Sequence, residues 1–180
     1  RDRSPSRGLG DVYKRQISFN ACSKDETWPD DSPIIEFKDS YFLEALVKGT
    51  DDYDGSKIDK NGDGKISEKE ASVVRGLRLS DFKIRCIDEI SYFTALETLY
   101  CDHNQLTSLD VSKNTELSYL YCNNNQLTSL DLSKNAELYS LNCSGNNLKS
   151  VIVQRNYNYR LISSLDAITR EYGDIISYVF

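Results

Sequence analysis

Apolar and polar residues repeat with a period of 21 residues between Leu96 and Val153. Successive copies begin at Leu96, Leu117 and Leu138, and read LETLYCDHNQL, LSYLYCNNNQL and LYSLNCSGNNL. Within each copy, apolar and polar residues alternate over a few positions, as expected for a short β-strand with one buried face. One copy cannot bury its apolar face alone, so we expect the copies to stack as parallel coils around one shared core.

The spacing of leucine and asparagine indicates the type of repeat. The pattern L-x-x-L-x-(L/C)-x-x-N-x-L, at a period of about 20–29 residues, is typical of leucine-rich repeats. We therefore predict an α/β leucine-rich repeat solenoid with short parallel strands and irregular return segments. The asparagines at the strand ends are predicted to form a ladder, because a buried amide needs partners that the backbone of a neighbouring coil supplies. They are Asn104, Asn125 and Asn146.

A second ladder consists of Cys101, Cys122 and Cys143, at a position where many such repeats carry leucine. Adjacent strands lie about 4.8 Å apart, a separation that alone allows a disulfide. The three thiols point the same way into a dry interior, however, and cysteine packs well as a small apolar residue. We predict core packing, with a disulfide or a metal site as the alternatives. Cys86, on the return side of the first coil, is predicted to be buried or half-buried.

A segment before the repeats matches an EF-hand-like calcium loop. Asp59–Glu70 reads DKNGDGKISEKE and fits D-x-[DN]-x-[DN]-G-x5-E at every position. Oxygen ligands at this spacing favour Ca2+ over zinc or copper. The predicted ligands are Asp59, Asn61, Asp63, the backbone carbonyl of Lys65, Ser67 and Glu70. The alternative is an Asp/Gly-rich turn that holds no metal.

The sequence around this loop predicts a structural role for the ion. An amphipathic stripe over 37–48 predicts an incoming helix that ends at Gly49, but residues 50–57 separate it from the loop. An exiting helix is predicted over 68–74. With only one loop evident, we expect an ion that holds the exiting helix against the first coil. The predicted boundaries are 37–73 for a helical N-terminal cap, 74–153 for the repeats and 154–180 for a C-terminal cap with a short helix and a final strand.

The distribution of charge along the chain bears on which kinds of partner it can bind. The formal net charge is −6, although the first 16 residues hold five basic and two acidic residues. The acidic remainder argues against a nucleic-acid partner and is compatible with a divalent cation. The single histidine, His103, has Asn124 and Gly145 at the equivalent positions of the next copies, and no nucleophile has a visible base. We therefore expect a protein that is not an enzyme.

The start of the chain differs from the rest. Residues 1–16 resemble a translated sequencing adapter and are left out of the fold prediction. Residues 17–36 resemble a lipobox remnant and a tether, with ISFNAC at 17–22 ending in Cys22 as the lipidated residue. SKDE at 23–26 resembles the export signal of Bacteroidetes-type surface lipoproteins. The resemblance implies a bacterial outer-membrane lipoprotein at the cell surface, anchored only by lipid; the alternative is an ordinary free cysteine.

The outward positions of the predicted strands carry several tyrosines. Tyrosine offers a large contact area with a polar tip and is frequent among interface anchors. We predict a ligand-binding face for a protein or a glycan. It consists of Tyr100, Asp102, Tyr119, Tyr121, Asn123 and Asn142. The alternative is a purely structural spacer, whose tyrosines face solvent because they suit a strand.

Residues 35–160 together resemble bacterial leucine-rich repeat surface proteins in which a calcium-loop segment precedes short repeats. The cysteine-bearing repeats are similar to those of some internalins. The resemblance rests on the three repeat copies and on the loop. It implies a surface-displayed recognition module and does not name a ligand.

Overall fold

The computed structural model describes residues 30–50, 52, 54–154 and 167–179. The helical elements are α1 at Ser40–Glu44, a π-helical turn at Ala45–Gly49, α2 at Glu68–Ser72, a 3₁₀ turn at Asp88–Tyr92 and α3 at residues 167–172. The strands are β1 at Gly76–Arg78, β2 at Thr98–Tyr100, β3 at Tyr119–Tyr121, β4 at Ser129–Leu132, β5 at Ser140–Asn142, β6 at Ser150–Gln154 and β7 at Ile176–Val179.

The main sheet consists of β1, β2, β3 and β5, which are parallel and in register. Its central residues lie opposite one another and are at most 5% exposed; they are Leu77, Leu99, Leu120 and Leu141. Successive strands come from successive coils, so the coils share one core, as predicted. The fold is a leucine-rich repeat solenoid.

The cysteine ladder lies on the same buried side of the coils. Cys101, Cys122 and Cys143 are free thiols and at most 1% exposed, and Leu79 is equally buried at the equivalent place in the first coil. Burial raises the pKa of all three thiols, to about 12 for Cys143. They therefore stay protonated and pack as apolar groups. Cys86 is also free and is half-buried.

The predicted asparagine ladder joins each coil to the coil before it. The side-chain amide of Asn125 donates to the carbonyls of Cys101 and Cys122, each at 3.0 Å. Its Oδ1 accepts from the backbone N–H of Leu106 at 3.0 Å. Asn104 and Asn146 repeat this pattern in their own coils. Each asparagine therefore ties the ends of two successive strands together.

A second asparagine ladder, absent from the sequence predictions, lies on the return segments. Asn114 donates to the carbonyls of Ile90 at 2.9 Å and Phe93 at 2.8 Å. Asn135 donates to Val111 at 3.0 Å and to Asn114 at 2.8 Å. Both side chains are at most 2% exposed. The return side of the solenoid is thus held by amide hydrogen bonds as well as by apolar contacts.

The later return segments also form strands. β4, β6 and β7 make a second parallel sheet, in which Leu130 lies opposite Val151 and Leu132 opposite Val153. These four side chains are buried, and β-branched residues suit a strand. β7 corresponds to the strand predicted at the end of the chain and pairs with β6. Residues 155–166, which include part of the predicted C-terminal cap, lie outside the described residues.

The segment before the repeats packs on the first coil. The rings of Phe42 in α1 and Phe93 lie 6.3 Å apart, and both are fully buried. Asp39 caps the N-terminus of α1 with one carboxylate oxygen. The other oxygen accepts from the backbone N–H groups of Arg85 at 2.6 Å and Cys86 at 3.1 Å. A single buried side chain therefore fixes the helix start and also anchors it to the repeats.

Candidate functional site

The outward side chains of the main sheet form two rows across the coils. The first row is Gly76, Thr98, Tyr119 and Ser140, and the second row is Arg78, Tyr100, Tyr121 and Asn142. Four of the six predicted face residues stand in these rows. The other two, Asp102 and Asn123, follow the strands and are half-buried.

Tyr100 and Tyr121 stack on each other. They are register partners, with ring centroids 4.8 Å apart and ring planes 8° from parallel. The Tyr121 hydroxyl lies 3.2 Å from Oγ of Ser140, within hydrogen-bonding distance. Because the strands are about 4.8 Å apart, the sheet itself holds the two rings at stacking distance.

Tyr119 has a ring neighbour outside the predicted face. It lies two residues before Tyr121 in β3, and its ring makes an edge-on contact with Tyr139, at 5.5 Å and 62°. Tyr139 directly precedes β5 and was not among the predicted face residues. The signal was present, since the residue before each strand also borders the outer face. Tyr119 is 38% exposed, the most accessible tyrosine of the face.

A hollow of about 290 Å3 lies at the β1 end of this face. Its small lining residues are Gly76 and Thr98, its aromatic ones Tyr100 and Tyr119, and its charged ones Arg78 and Glu97. The hollow exists because the first row carries glycine and threonine where the third coil carries tyrosine. It was not predicted, because no single copy contains it.

A hydrogen-bonded chain of polar groups runs along the ends of β1 and β2. Ser80 donates to Oδ1 of Asp102 at 2.6 Å, and Oδ2 of Asp102 lies 2.8 Å from Nδ1 of His103. Nε2 of His103 lies 2.9 Å from the Asn124 amide. Burial opposes ionisation of Asp102, yet the bonds from Ser80 and His103 hold its pKa below the usual value. The bond to Asp102 raises the pKa of His103.

Asn142 is oriented by its own turn. Its Oδ1 accepts from the backbone N–H of Ser144 at 3.2 Å and from the hydroxyl of Ser144 at 2.8 Å. Asn123 contributes its backbone carbonyl to His103, at 3.0 Å. The polar border of the aromatic rows is therefore held in place by hydrogen bonds within the coils.

The backbone of the Asp59–Glu70 loop donates several hydrogen bonds to the carboxylate of Asp59. Oδ1 accepts from the N–H groups of Gly62 at 2.7 Å and Asp63 at 3.2 Å, and Oδ2 accepts from Gly64 at 2.9 Å. Gly62 and Gly64 have φ of 74° and 78°, which only glycine adopts easily. Asp59 is 7% exposed. Gly64, the glycine of the motif, and Gly62 thus have the conformation that a tight loop requires.

Glu70 closes the loop from the first turn of α2. It is fully buried, and Oε1 accepts from the N–H groups of Lys60 at 2.8 Å and Asn61 at 3.3 Å. Oε2 accepts from the N–H of Ser67 at 2.9 Å and from its hydroxyl at 3.0 Å, and Ser67 and Glu70 form a capping box. The Ser67 hydroxyl also contacts the carboxylate of Asp30. Glu70 therefore joins the two ends of the loop.

The predicted calcium ligands are brought into one loop, with two carboxylates buried and Asp63 exposed. Within the described ranges, no group of three or more His, Cys, Asp or Glu side chains is placed to hold a metal ion. The carboxylate oxygens of Asp59 and Glu70 instead accept N–H and O–H donors. The residue types fit a calcium loop, which draws further ligands from an amide, a carbonyl and a hydroxyl.

No family model matches the sequence. No curated protein matches it either. Among solved structures, the chain is similar to the functional domain of InlJ from Listeria monocytogenes, which includes a cysteine ladder, at 26% identity and a TM-score of 0.41 over 69% of this chain and 30% of that one. It is also similar to the internalin InlF from Listeria monocytogenes, at 22% identity and a TM-score of 0.49 over 63% of this chain and 32% of that one.

The predicted lipidation site, Cys22, lies outside the described residues. None of the helices in the described part of the chain has the length and apolar character needed to span a bilayer.

Proposed function

We propose that this protein is a recognition module of the bacterial cell surface that binds a protein ligand through the strand face of its solenoid. The observation that carries this proposal is the stacked pair Tyr100 and Tyr121 beside the hollow. Both rings are already ordered by the sheet, so a ligand would not have to immobilise them on binding. Ordered aromatic area of this kind is typical of interface anchors.

The polar groups around the aromatic rows support the same proposal. Asp102 and Asn142 border the tyrosines and are themselves held by hydrogen bonds. Protein interfaces commonly combine an aromatic centre with a polar rim. The ring of Tyr119, 38% exposed, adds accessible aromatic area to this face.

Capture of a ligand by the immobilised protein tests this function. The double variant Tyr100→Ala with Tyr121→Ala should lose the proteins that the wild type retains, identified by mass spectrometry, while its thermal unfolding stays cooperative. The matched control is Tyr41→Ala with Tyr92→Ala, which removes tyrosines that are 48% and 39% exposed and lie off the face. Equal capture by the wild type and both double variants would favour the spacer.

We also propose that the Asp59–Glu70 loop binds Ca2+ with a structural role. Three of the predicted ligands, Asp59, Asp63 and Glu70, are carboxylates whose mutual repulsion a divalent cation would offset. Ile66 and Ala71, at the end of the loop and in α2, belong to the same core as the first coil. An ion bound in the loop would therefore stabilise the packing of α2 on the first coil. Binding requires Asp59 and Glu70 to exchange some of their N–H bonds for the ion.

Surface display through a lipid on Cys22 completes the proposal. It is supported by the lipobox-like sequence that ends at Cys22 and by the tether-like residues that follow. When residues 17–180 follow the signal segment of a bacterial lipoprotein, radiolabelled palmitate should label the wild type and leave Cys22→Ser unlabelled. Unlabelled wild-type protein would contradict the anchor without affecting the binding face.

A further inference from the structure

The hollow beside Tyr100 has two charged lining residues, and they differ in their ion pairs among the described residues. Of its two charged lining residues, Glu97 forms an ion pair with Arg75, at 3.6 Å. Oδ1 of Asp52 accepts hydrogen bonds from the backbone N–H groups of Arg75 and Gly76, at the start of β1, each at 2.9 Å. No ion pair involves Arg78 within the part of the chain that the structure describes. Among the described residues, the guanidinium of Arg78 is therefore the charged group of the hollow that has no ion pair.

The shape of the hollow suits one side chain. Gly76, which is buried, contributes no side chain and Thr98 contributes a short one, so little side-chain volume fills the space between the aromatic walls. The Tyr121 ring covers one face of Tyr100, which leaves the opposite face turned toward the coil of Arg78. There Arg78, Ser80 and Tyr100 line a second recess, which shares Arg78 and Tyr100 with the hollow.

We propose that this hollow binds a carboxylate side chain from an acidic segment of the protein ligand. The inference rests on the proposed binding function and identifies one subsite within it. A guanidinium presents paired N–H donors that match a carboxylate bidentately. The ring of Tyr100 would pack on the methylene groups of the incoming side chain. A neutral sugar in the same place would cover Arg78 without neutralising it, at a cost in desolvation.

Two described acids near Arg78 are engaged by other partners. Asp102, the next acidic residue along the second row, accepts hydrogen bonds from Ser80 and is paired with His103. Glu97 is held by Arg75 on the other side of the hollow. An acidic ligand is thus attracted locally, although the chain carries a net charge of −6.

An NMR titration of the 15N-labelled full chain tests the subsite. The probe is the capped peptide acetyl-Ala-Glu-Phe-Ala-amide, and the matched control peptide carries Gln in place of Glu. We expect the acidic peptide to shift the amide resonances of Gly76, Arg78 and Thr98. The wild type should bind the Gln peptide about ten-fold or more weakly than the Glu peptide. Arg78→Gln should bind the Glu peptide equally weakly, because each change removes the charge-assisted pair. Arg85→Gln, which removes an exposed arginine bonded to Gln105, should bind like the wild type.

Several outcomes would overturn the proposal. They are equal binding of the Glu and Gln peptides, unchanged binding by Arg78→Gln, shifts confined to other coils, and no shift at millimolar peptide. Glucuronate producing the same shifts where the peptide produces none would move the site to an acidic glycan. If a captured protein binds Arg78→Gln normally but does not bind the Tyr100/Tyr121 double variant, the subsite proposal is wrong and the proposed binding face is still supported. A ligand insensitive to both changes would contradict both.

Discussion

The side-chain amide of Asn125 donates a hydrogen bond to the carbonyl of Cys101, in the preceding coil, at 3.0 Å. The same side chain accepts a hydrogen bond through Oδ1, so both ends of its amide are used. Asn135, in the second ladder, donates two hydrogen bonds, but its Oδ1 has no partner among the described residues. The two ladders therefore bind the coils together with different numbers of hydrogen bonds.

We expect Asn125→Ala to lower the free energy of unfolding by about 2–4 kcal/mol, because it leaves buried carbonyls and a buried N–H without partners. Asn135→Ala should cost less, about 1–3 kcal/mol, since it removes two donated bonds and an oxygen that is already unpartnered. Urea unfolding followed by circular dichroism measures both. Asn147→Ala, at an exposed position, is the control and should stay within about 0.5 kcal/mol. A larger loss for Asn135→Ala than for Asn125→Ala would contradict this ranking.

The buried thiols should resist modification in the folded protein. Cys101, Cys122 and Cys143 are enclosed and have raised pKa values, so neither access nor thiolate is available at neutral pH. In the variant Cys22→Ser, Ellman's reagent should react in native buffer with Cys86 alone. Denaturant should raise the count to all four remaining thiols. Rapid reaction of more than one thiol before unfolding would place the ladder at the surface.

The solenoid was predictable because its evidence is repeated along the chain. Each copy places Leu99, Leu120 or Leu141 at the same offset, and the register between strands follows from the period. The second asparagine ladder is also periodic, at Asn114 and Asn135, but the first coil carries Phe93 there. Its role becomes visible only when the return segments are seen in contact.

The side-chain arrangement of the proposed binding face was predictable in outline but not in detail. The alternation within a strand predicts which tyrosines point outward, and Tyr100 with Tyr121 follows from the register. The partner of Tyr119 depends on ring orientation, which no spacing specifies. The hollow depends on the absence of side-chain volume at Gly76, two coils before Tyr119. A sequence pattern predicts where large side chains lie more readily than where a hollow forms between them.

His103 offers a direct measure of the polar network. It is the single histidine of the chain, so its ring protons give one assignable titration by NMR. The bond to Asp102 chiefly raises the pKa of His103, with a further contribution from Asp81, so we expect a midpoint above the ordinary value of about 6.5. Asp102→Asn should lower the midpoint, and Asp81→Asn should lower it less.

The raised pKa of His103 also makes the free energy of unfolding depend on pH. Because the pKa of His103 is raised in the folded chain, its contribution to stability is complete below about pH 6.5 and is lost as the pH rises through the folded-state pKa. Asp102 acts oppositely, since its lowered pKa gives a contribution that disappears only in acid. A histidine midpoint at or below the ordinary value would show that the pair with Asp102 does not persist in solution.

The calcium proposal predicts a stability that depends on chelator. At free Ca2+ about 100 times its dissociation constant, a structural ion adds about 2.7 kcal/mol, which corresponds to about 5–10 °C in Tm for a chain of this size. Addition of EGTA should therefore lower the Tm of the wild type by that amount. Differential scanning calorimetry with and without Ca2+ measures the shift.

The variant Asp59→Ala should be compared with the wild type by the change in Tm on adding EGTA, not by Tm itself. Asp59 accepts hydrogen bonds from three loop N–H groups, so its removal costs stability even where no ion is bound. The informative quantity is the EGTA-induced shift, which should vanish in Asp59→Ala and persist in Asp54→Asn, an exposed acid outside the motif. If the wild type melts at the same temperature in Ca2+ and in EGTA, its loop is held by the Asp59 and Glu70 hydrogen bonds alone. The structural-ion proposal would then be wrong.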